Sequence, residues 1–108
     1  MQKTLQDIKK KIASAQGMDA TVRQELTALV DKLYTELETL AKTDRDRAEN
    51  VSGLTRTTVA EVTDGNRGPD FDHASNGLSD AVEQLEVTHP RLADAINRIC
   101  KMLADIGI

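Results

Sequence analysis

The side chains in this 108-residue sequence that could take part in catalysis or metal binding are few and lie far apart along the chain. Cys100 is the only cysteine, and His73 and His89 are the only histidines. A metal site needs ligands at close helical or loop spacing, and nucleophilic catalysis needs a serine or cysteine beside a base. These three residues provide neither pattern, so the sequence predicts no enzyme, no metal site and no cofactor.

His89 has two interpretations, because it precedes Pro90 and also occupies one position of an apolar helical pattern. It could be a capping or packed histidine that fixes a break in the helix. It could also be a pH-sensitive contact, since a partly buried imidazole titrates near neutral pH. His89 is therefore a candidate switch. Cys100 is interpreted as a small buried hydrophobic residue, and a single cysteine is typical of a reducing compartment.

An apolar pattern over residues 77–106 predicts a C-terminal helical segment, which contains both His89 and Cys100. Residues three and four apart share a helix face, and eight of the nine positions in this series are aliphatic. We call the series the seam; its members are Leu78, Val82, Leu85, His89, Leu92, Ile96, Ile99, Leu103 and Ile106. A narrow stripe of this kind is typical of helices that pack together in a bundle or coiled coil.

Pro90 interrupts this segment, because proline lacks an amide hydrogen and restricts the residue before it. The favoured interpretation is a new helix with Pro90 in its first turn and Thr88 or His89 as its cap. A kinked but continuous helix is the alternative, since the seam keeps its register across Pro90. Gly107 is predicted to stop the helix.

The N-terminal half predicts a helical hairpin. Residues 2–16 carry an apolar face and predict a first helix that ends near Gly17. Residues 19–46 predict a second helix, with Asp19 as its cap and a leucine-rich face. So short a turn requires the two helices to run roughly antiparallel.

Residues 50–76 contain few apolar side chains, and a dense run of turn-forming residues follows Asp64. Threonine is frequent here and is a poor helix former. We expect this stretch to be a mostly polar, mobile connection, because a structureless loop of this length is uncommon inside a compact domain.

The charge balance limits the possible partners. A formal net charge of −4 argues against general affinity for nucleic acid or anionic membranes. The local exception is the first helix, where lysines at positions 3, 9, 10 and 11 oppose one aspartate, so weak contact with a membrane surface stays open. The sequence shows neither a signal peptide nor a stretch long enough to cross a bilayer, which predicts a cytoplasmic location.

The C-terminal sequence carries a resemblance. Residues 86–92, Glu-Val-Thr-His-Pro-Arg-Leu, are followed by an aliphatic helix that closes on Ile106-Gly107-Ile108. This pattern resembles a small bacterial family described as a domain of unknown function (DUF4404). The first forty residues are similar in pattern to the leucine-rich first half of that family, including Asp19 and Arg23, whereas residues 43–77 depart from it. The resemblance implies a short helical protein and no particular activity.

These observations predict a single all-α domain over residues 1–108: a helical hairpin, a polar connection and a C-terminal segment broken or kinked at Pro90. One hairpin cannot cover the whole seam, so we expect a homodimer. Its expected interface comprises Leu85, Leu92, Ile96, Ile99, Leu103 and Ile106. The favoured function is a non-catalytic assembly or adaptor protein that binds itself or another helical protein. The alternatives are a surface-binding module that uses the lysine-rich helix on anionic lipid or nucleic acid, and a small-ligand sensor or enzyme.

Overall fold

The computed structural model describes residues 1–65 and 68–106, and all regular secondary structure in that part of the chain is helical. The five helices are α1 (Gln2–Ser14), α2 (Ala20–Ala41), α3 (Arg45–Thr63), α4 (Pro69–Leu85) and α5 (Pro90–Ile106). The predicted all-α class and the packing of the helices into a bundle are confirmed.

The N-terminal hairpin forms as predicted. Gly17 lies between α1 and α2 with a φ of 77°, a value that glycine adopts without steric cost. The Asp19 carboxylate accepts a hydrogen bond from the Thr21 amide at 2.9 Å and so caps α2. Gln2 bonds to Glu38 at one end of the pair, and Lys9 bonds to Asp31 further along, so α1 and α2 run antiparallel.

The prediction of a mobile connection over residues 50–76 is wrong, because most of that range is helical. α2 ends at Ala41 instead of continuing to residue 46, and α3 begins at Arg45, four residues later. The Asp44 carboxylate accepts a hydrogen bond from the Arg47 amide at 3.1 Å and caps the new helix. The predicted second helix, residues 19–46, therefore combined all of α2 with the first residues of α3.

α3 was missed because small and hydroxyl-bearing residues fill much of its buried face. Ser52, Thr55 and Thr58 are buried alongside its valines. A buried hydroxyl needs a hydrogen-bond partner. Thr55 donates to the Val51 carbonyl and Thr58 donates to the Leu54 carbonyl, each at 2.8 Å. These bonds within the helix allow threonine to face the core, so a search for aliphatic periodicity underestimates this helix.

The C-terminal segment is two helices rather than one. α4 begins at Pro69, eight residues before the predicted start at residue 77. The break at Pro90 is confirmed: α5 starts there, and the Ala93 amide donates to the His89 carbonyl at 3.1 Å in its first turn. The alternative of a continuous kinked helix is wrong. The predicted stop at Gly107 lies outside the described residues.

The helices pack around α3, which contacts each of the other four. α2 also packs against α1 and α5, and α4 packs against α5. The Cα radius of gyration is 12.8 Å, as expected for one domain of this length. The core is built from aliphatic side chains and two aromatic ones, Tyr34 and Phe71. Within the described residues, no helix is long and apolar enough to cross a membrane.

Candidate functional site

The seam lies inside the single chain instead of facing a second one. Leu85, Leu92, Ile96, Ile99 and Leu103 are all at most 1% exposed among the helices of this chain. The prediction that these five side chains form a dimer interface is therefore corrected. The helices α3 and α4, which the sequence analysis did not predict in full, help to cover the apolar face that was expected to need a second chain. Ile106 is the exception among the six expected interface residues, since it is only partly buried.

Ile106 lines an open groove of about 750 Å³ between α2 and α5. Val22 and Leu29 of α2 and Met102 and Ile106 of α5 supply its apolar surface. All four of these side chains are half-buried. We call this feature the α2–α5 groove.

The groove exists because each of its two helices carries a second apolar stripe beside the one that enters the core. On α2, Leu26 and Val30 are fully buried, and Leu29 lies next to them on the outer side. On α5, Ile99 and Leu103 are fully buried, and Met102 lies on the outer side. Single exposed apolar residues are normal on a protein surface, but residues from two helices that line one groove form a candidate contact surface.

Charges of both signs surround the apolar surface. Glu25 comes from α2, whereas Arg98, Lys101 and Asp105 come from α5. Arg98 bonds to Asp94 at 2.9 Å, an exposed pair one helical turn apart. Among residues 1–65 and 68–106, Glu25, Lys101 and Asp105 make no ion pair. Their charges are available to a partner.

His89 lies at the break between α4 and α5. Its amide donates to the Leu85 carbonyl at 2.7 Å, and its Nδ1 lies 3.1 Å from the Thr88 hydroxyl oxygen. Both contacts lie at the helix break, but neither is a bond from the imidazole to an amide of α5, so the capping interpretation also stays a prediction. The role of His89 as a switch stays a prediction.

Cys100 is half-buried and packs against the core. Burial raises the pKa of its thiol, which disfavours the reactive thiolate. Within residues 1–65 and 68–106, no three side chains of the metal-binding types come together.

The lysines of α1 divide into two groups. Lys9 pairs with Asp31 at 3.1 Å, and Lys11 pairs with Asp64 at 3.3 Å, so both neutralise carboxylates on neighbouring parts of the bundle. Lys3 and Lys10 are exposed and make no ion pair with any described residue.

Sequence reasoning missed the structural part played by Arg23. Its guanidinium donates to the carbonyls of Ile12 and Ala13 at 2.6 and 2.7 Å, and to those of Ala15 and Met18 at 3.0 and 3.2 Å. These carbonyls belong to the end of α1 and the turn that follows, where backbone acceptors lack helical partners. The available signal was a long cationic side chain in the first turn after a glycine-containing connection.

The groove was missed for a different reason. The leucine-rich face of α2 and the seam of α5 were each visible in the sequence, but periodicity within one helix does not show which helices become neighbours. Only the packing of α2 against α5 brings these side chains together.

Comparison with known proteins identifies a family but no activity. The comparison with curated proteins finds no match, and neither does the comparison with solved structures. The family model described as "Domain of unknown function (DUF4404)" matches residues 26–108, which include all of α3, α4 and α5 and most of α2. This match confirms the resemblance predicted from the C-terminal sequence, and the chain belongs to the DUF4404 family.

Proposed function

We propose that this protein is a non-catalytic assembly protein that forms a homodimer through the α2–α5 groove. The observation that carries the proposal is the combination of an apolar surface, contributed by two helices, with unpaired charges of both signs at its edge. Apolar area supplies most of the free energy of association, and complementary charges select the partner and its register. A cytoplasmic location is part of the proposal, supported by the single cysteine.

A second copy suits this groove because its charges are self-complementary. In a two-fold symmetric dimer the same surface meets itself, so every contact between two different residues occurs twice. Glu25 lies on one helix of the groove, and Lys101 lies on the other. When α2 of one copy packs beside α5 of the other, two equivalent pairs form between Glu25 and Lys101. The four helices around the axis then form an intermolecular bundle.

The size of the apolar surface indicates a reversible dimer. Each copy contributes Ala28 and four larger apolar side chains, and the four larger ones are already half-buried, which leaves only part of their area for association. Stable complexes bury roughly 800 Å² per partner, and association also costs translational and rotational freedom. We therefore expect dissociation constants of roughly micromolar order.

Sedimentation equilibrium over a wide concentration range tests the proposal, with Met102→Gln as the main variant. Glutamine and methionine are similarly long, unbranched and favourable in helices, so the monomer should keep its fold. The variant should weaken the dimer about tenfold or more, because it places an amide in the apolar contact. Val87→Ser is the matched control, since Val87 is 87% exposed at the α4–α5 connection and lies outside the groove.

A charge exchange tests the orientation of the two copies. Glu25→Lys should weaken the dimer about fivefold to thirtyfold, because it is expected to replace two attractive pairs by two repulsive ones. Adding Lys101→Glu should restore most of the affinity. A wild-type chain that stays monomeric at high micromolar concentration would overturn the homodimer. A dimer that tolerates Met102→Gln would exclude the groove as its interface.

A further inference from the structure

A second cavity lies between α1 and α3, away from the groove. It is an open cleft of about 580 Å³, and we call it the α1–α3 cleft. Its apolar lining comes from Ile8 of α1 and from Val59 and Ala60 of α3. Ile8 and Val59 are at most 1% exposed, so the core fixes the positions of the two helices on either side.

Three cationic side chains from the two helices converge on this cleft. Lys10 and Lys11 come from α1, and Arg56 comes from α3. Such a group is notable in a chain whose net charge is −4. α1 and α3 run in the same direction here. Asp7 of α1 pairs with Arg56 of α3, and Lys11, one turn further along α1, pairs with Asp64, which directly follows the end of α3. Lys10 and Lys11 of α1 therefore lie beside the same cleft as Arg56 of α3.

The carboxylates that now neutralise these cations hold them weakly. The Arg56 guanidinium lies 3.9 Å from the Asp7 carboxylate, and Lys11 lies 3.3 Å from Asp64. All four side chains are at least 40% exposed. Exposed pairs of this kind contribute roughly 0–1 kcal/mol, so a stronger anion can replace either carboxylate at little cost. Lys10 makes no ion pair with any described residue and needs no exchange.

The helix ends beside the cleft would normally oppose an anion, because the last turn of a helix carries partial negative charge. At the end of α1 this charge is offset by the Arg23 guanidinium, which donates to the carbonyls of Ile12, Ala13 and Ala15. At the end of α3 the Asp64 amide and the Thr63 hydroxyl both donate to the Ala60 carbonyl. The guanidinium therefore satisfies several of the carbonyl acceptors at the end of α1, and at the end of α3 the Ala60 carbonyl accepts two bonds.

We propose that the α1–α3 cleft binds a phosphate group through Lys10, Lys11 and Arg56. A guanidinium can bond two phosphate oxygens at once, and lysines supply point charges to the third. The Ser14 hydroxyl, which donates to the Lys10 carbonyl at 2.9 Å, also lines the cleft and can turn towards the phosphate. The cleft is larger than a phosphate ion, which leaves room for the organic part of a phosphate monoester.

A titration with inorganic phosphate at constant ionic strength tests this site, with backbone amide shifts followed by nuclear magnetic resonance. Shifts should concentrate on α1 and α3 beside the cleft and should saturate. Lys10→Gln and Arg56→Gln should each weaken phosphate binding about fivefold to tenfold, since each removes a charged hydrogen-bond donor. Lys3→Gln is the matched control, because it removes one exposed lysine from the same helix outside the cleft.

Asp7→Asn gives an effect in the opposite direction. It removes the carboxylate that lines the cleft and competes for Arg56, so phosphate binding should tighten severalfold. Equal losses for Lys3→Gln and Lys10→Gln would show general charge attraction and overturn the proposal. The absence of saturable shifts at the cleft would overturn it as well.

Vesicles distinguish the source of the phosphate. One set contains phosphatidic acid, which carries a phosphate monoester, and the other contains phosphatidylserine at matched surface charge. Preference for phosphatidic acid that is lost in Lys10→Gln would assign the site to a lipid headgroup. Phosphate binding in solution without that preference would assign it to a soluble phosphorylated ligand. Neither result depends on the dimer, since the α1–α3 cleft and the α2–α5 groove share no lining residue.

Discussion

Replacing Arg23 by methionine should destabilise the protein more than any other single change of a surface charge. Methionine keeps the length and the helix propensity of the side chain but removes all its hydrogen-bond donors. The four carbonyls that Arg23 contacts lie 2.6–3.2 Å from its guanidinium nitrogens. They belong to the last residues of α1 and the connection to α2, so the side chain fastens the end of one helix to the start of the next.

The expected magnitude follows from the environment of these bonds. A hydrogen bond that involves a charged group contributes about 1.5–3 kcal/mol when well buried. Arg23 is half-buried, and several of the released carbonyls can bind water after the substitution. We therefore expect a loss of about 2–3 kcal/mol in the free energy of unfolding, a large part of the 5–15 kcal/mol typical of a domain. Arg23→Lys should retain less than half of the effect, because an ammonium group cannot reach four acceptors in the geometry of a planar guanidinium.

Urea unfolding followed by circular dichroism measures this loss, and amide hydrogen exchange locates it. Protection should fall first in α1, which the Arg23 bonds hold to α2. Arg45→Met is the matched control, because Arg45 makes one exposed pair with Glu49 in the same helix, worth about 0.5 kcal/mol or less. Equal losses for the Arg23 and Arg45 variants would contradict a special role for the Arg23 bonds, as would a loss at Arg23 below about 0.5 kcal/mol.

Two further predictions concern helix packing and alkaline stability. Gly53→Ala should raise the free energy of unfolding by about 0.5–1 kcal/mol, because an added Cβ meets nothing within 4 Å. Gly77→Ala should gain less, since its Cβ would lie 2.9 Å from a methyl group of Leu54, which must move; an equal gain in urea unfolding would contradict this close contact. Burial raises the pKa of Tyr34, opposed in part by its hydrogen bond to a buried serine, and burial also raises the pKa of Cys100. Burial therefore favours the protonated form of both side chains in the folded protein. The stabilisation of the fold that results is complete at pH values below the pKa values of the unfolded chain, and it is lost as the pH rises through the pKa values of the folded protein. Urea unfolding between pH 7 and 11 should show a declining alkaline limb that Tyr34→Phe with Cys100→Ala makes shallower; an unchanged slope would count against this origin.

The helices most visible in the sequence are those whose buried faces consist of aliphatic residues. Such residues recur at helical spacing in α1, α2 and α5, and Asp19 and Pro90 mark the starts of α2 and α5. These signals are local, since a cap, a proline and a periodic face act within a few residues of one another. They were therefore predicted close to where the structure has them.

α3 and the first half of α4 were not predictable in the same way. Serine and threonine are frequent in loops, so Ser52, Thr55 and Thr58 did not indicate a buried helix face. In the structure their hydroxyls form hydrogen bonds within the bundle, which allows them to be buried. The Tyr34 hydroxyl lies 2.6 Å from the Ser52 hydroxyl, so a residue on α2 completes the polar contacts of α3. Gly77 faces Leu54 where α3 and α4 approach closely, and there glycine serves packing instead of ending a helix. Tertiary contacts outweigh propensity at these positions.

The helical class, the hairpin, the break at Pro90 and the family were all predictable from the sequence, because they depend on spacing, caps and motifs that are local in the chain. Tertiary packing, by contrast, set the location of the seam. It placed Ile96 and Ile99 in the core of one chain and left Ile106 at a groove. It also brought Arg56 to the lysines of α1. The physical reason is that burial and charge convergence depend on which helices become neighbours, and periodicity within a helix carries no information about its neighbours.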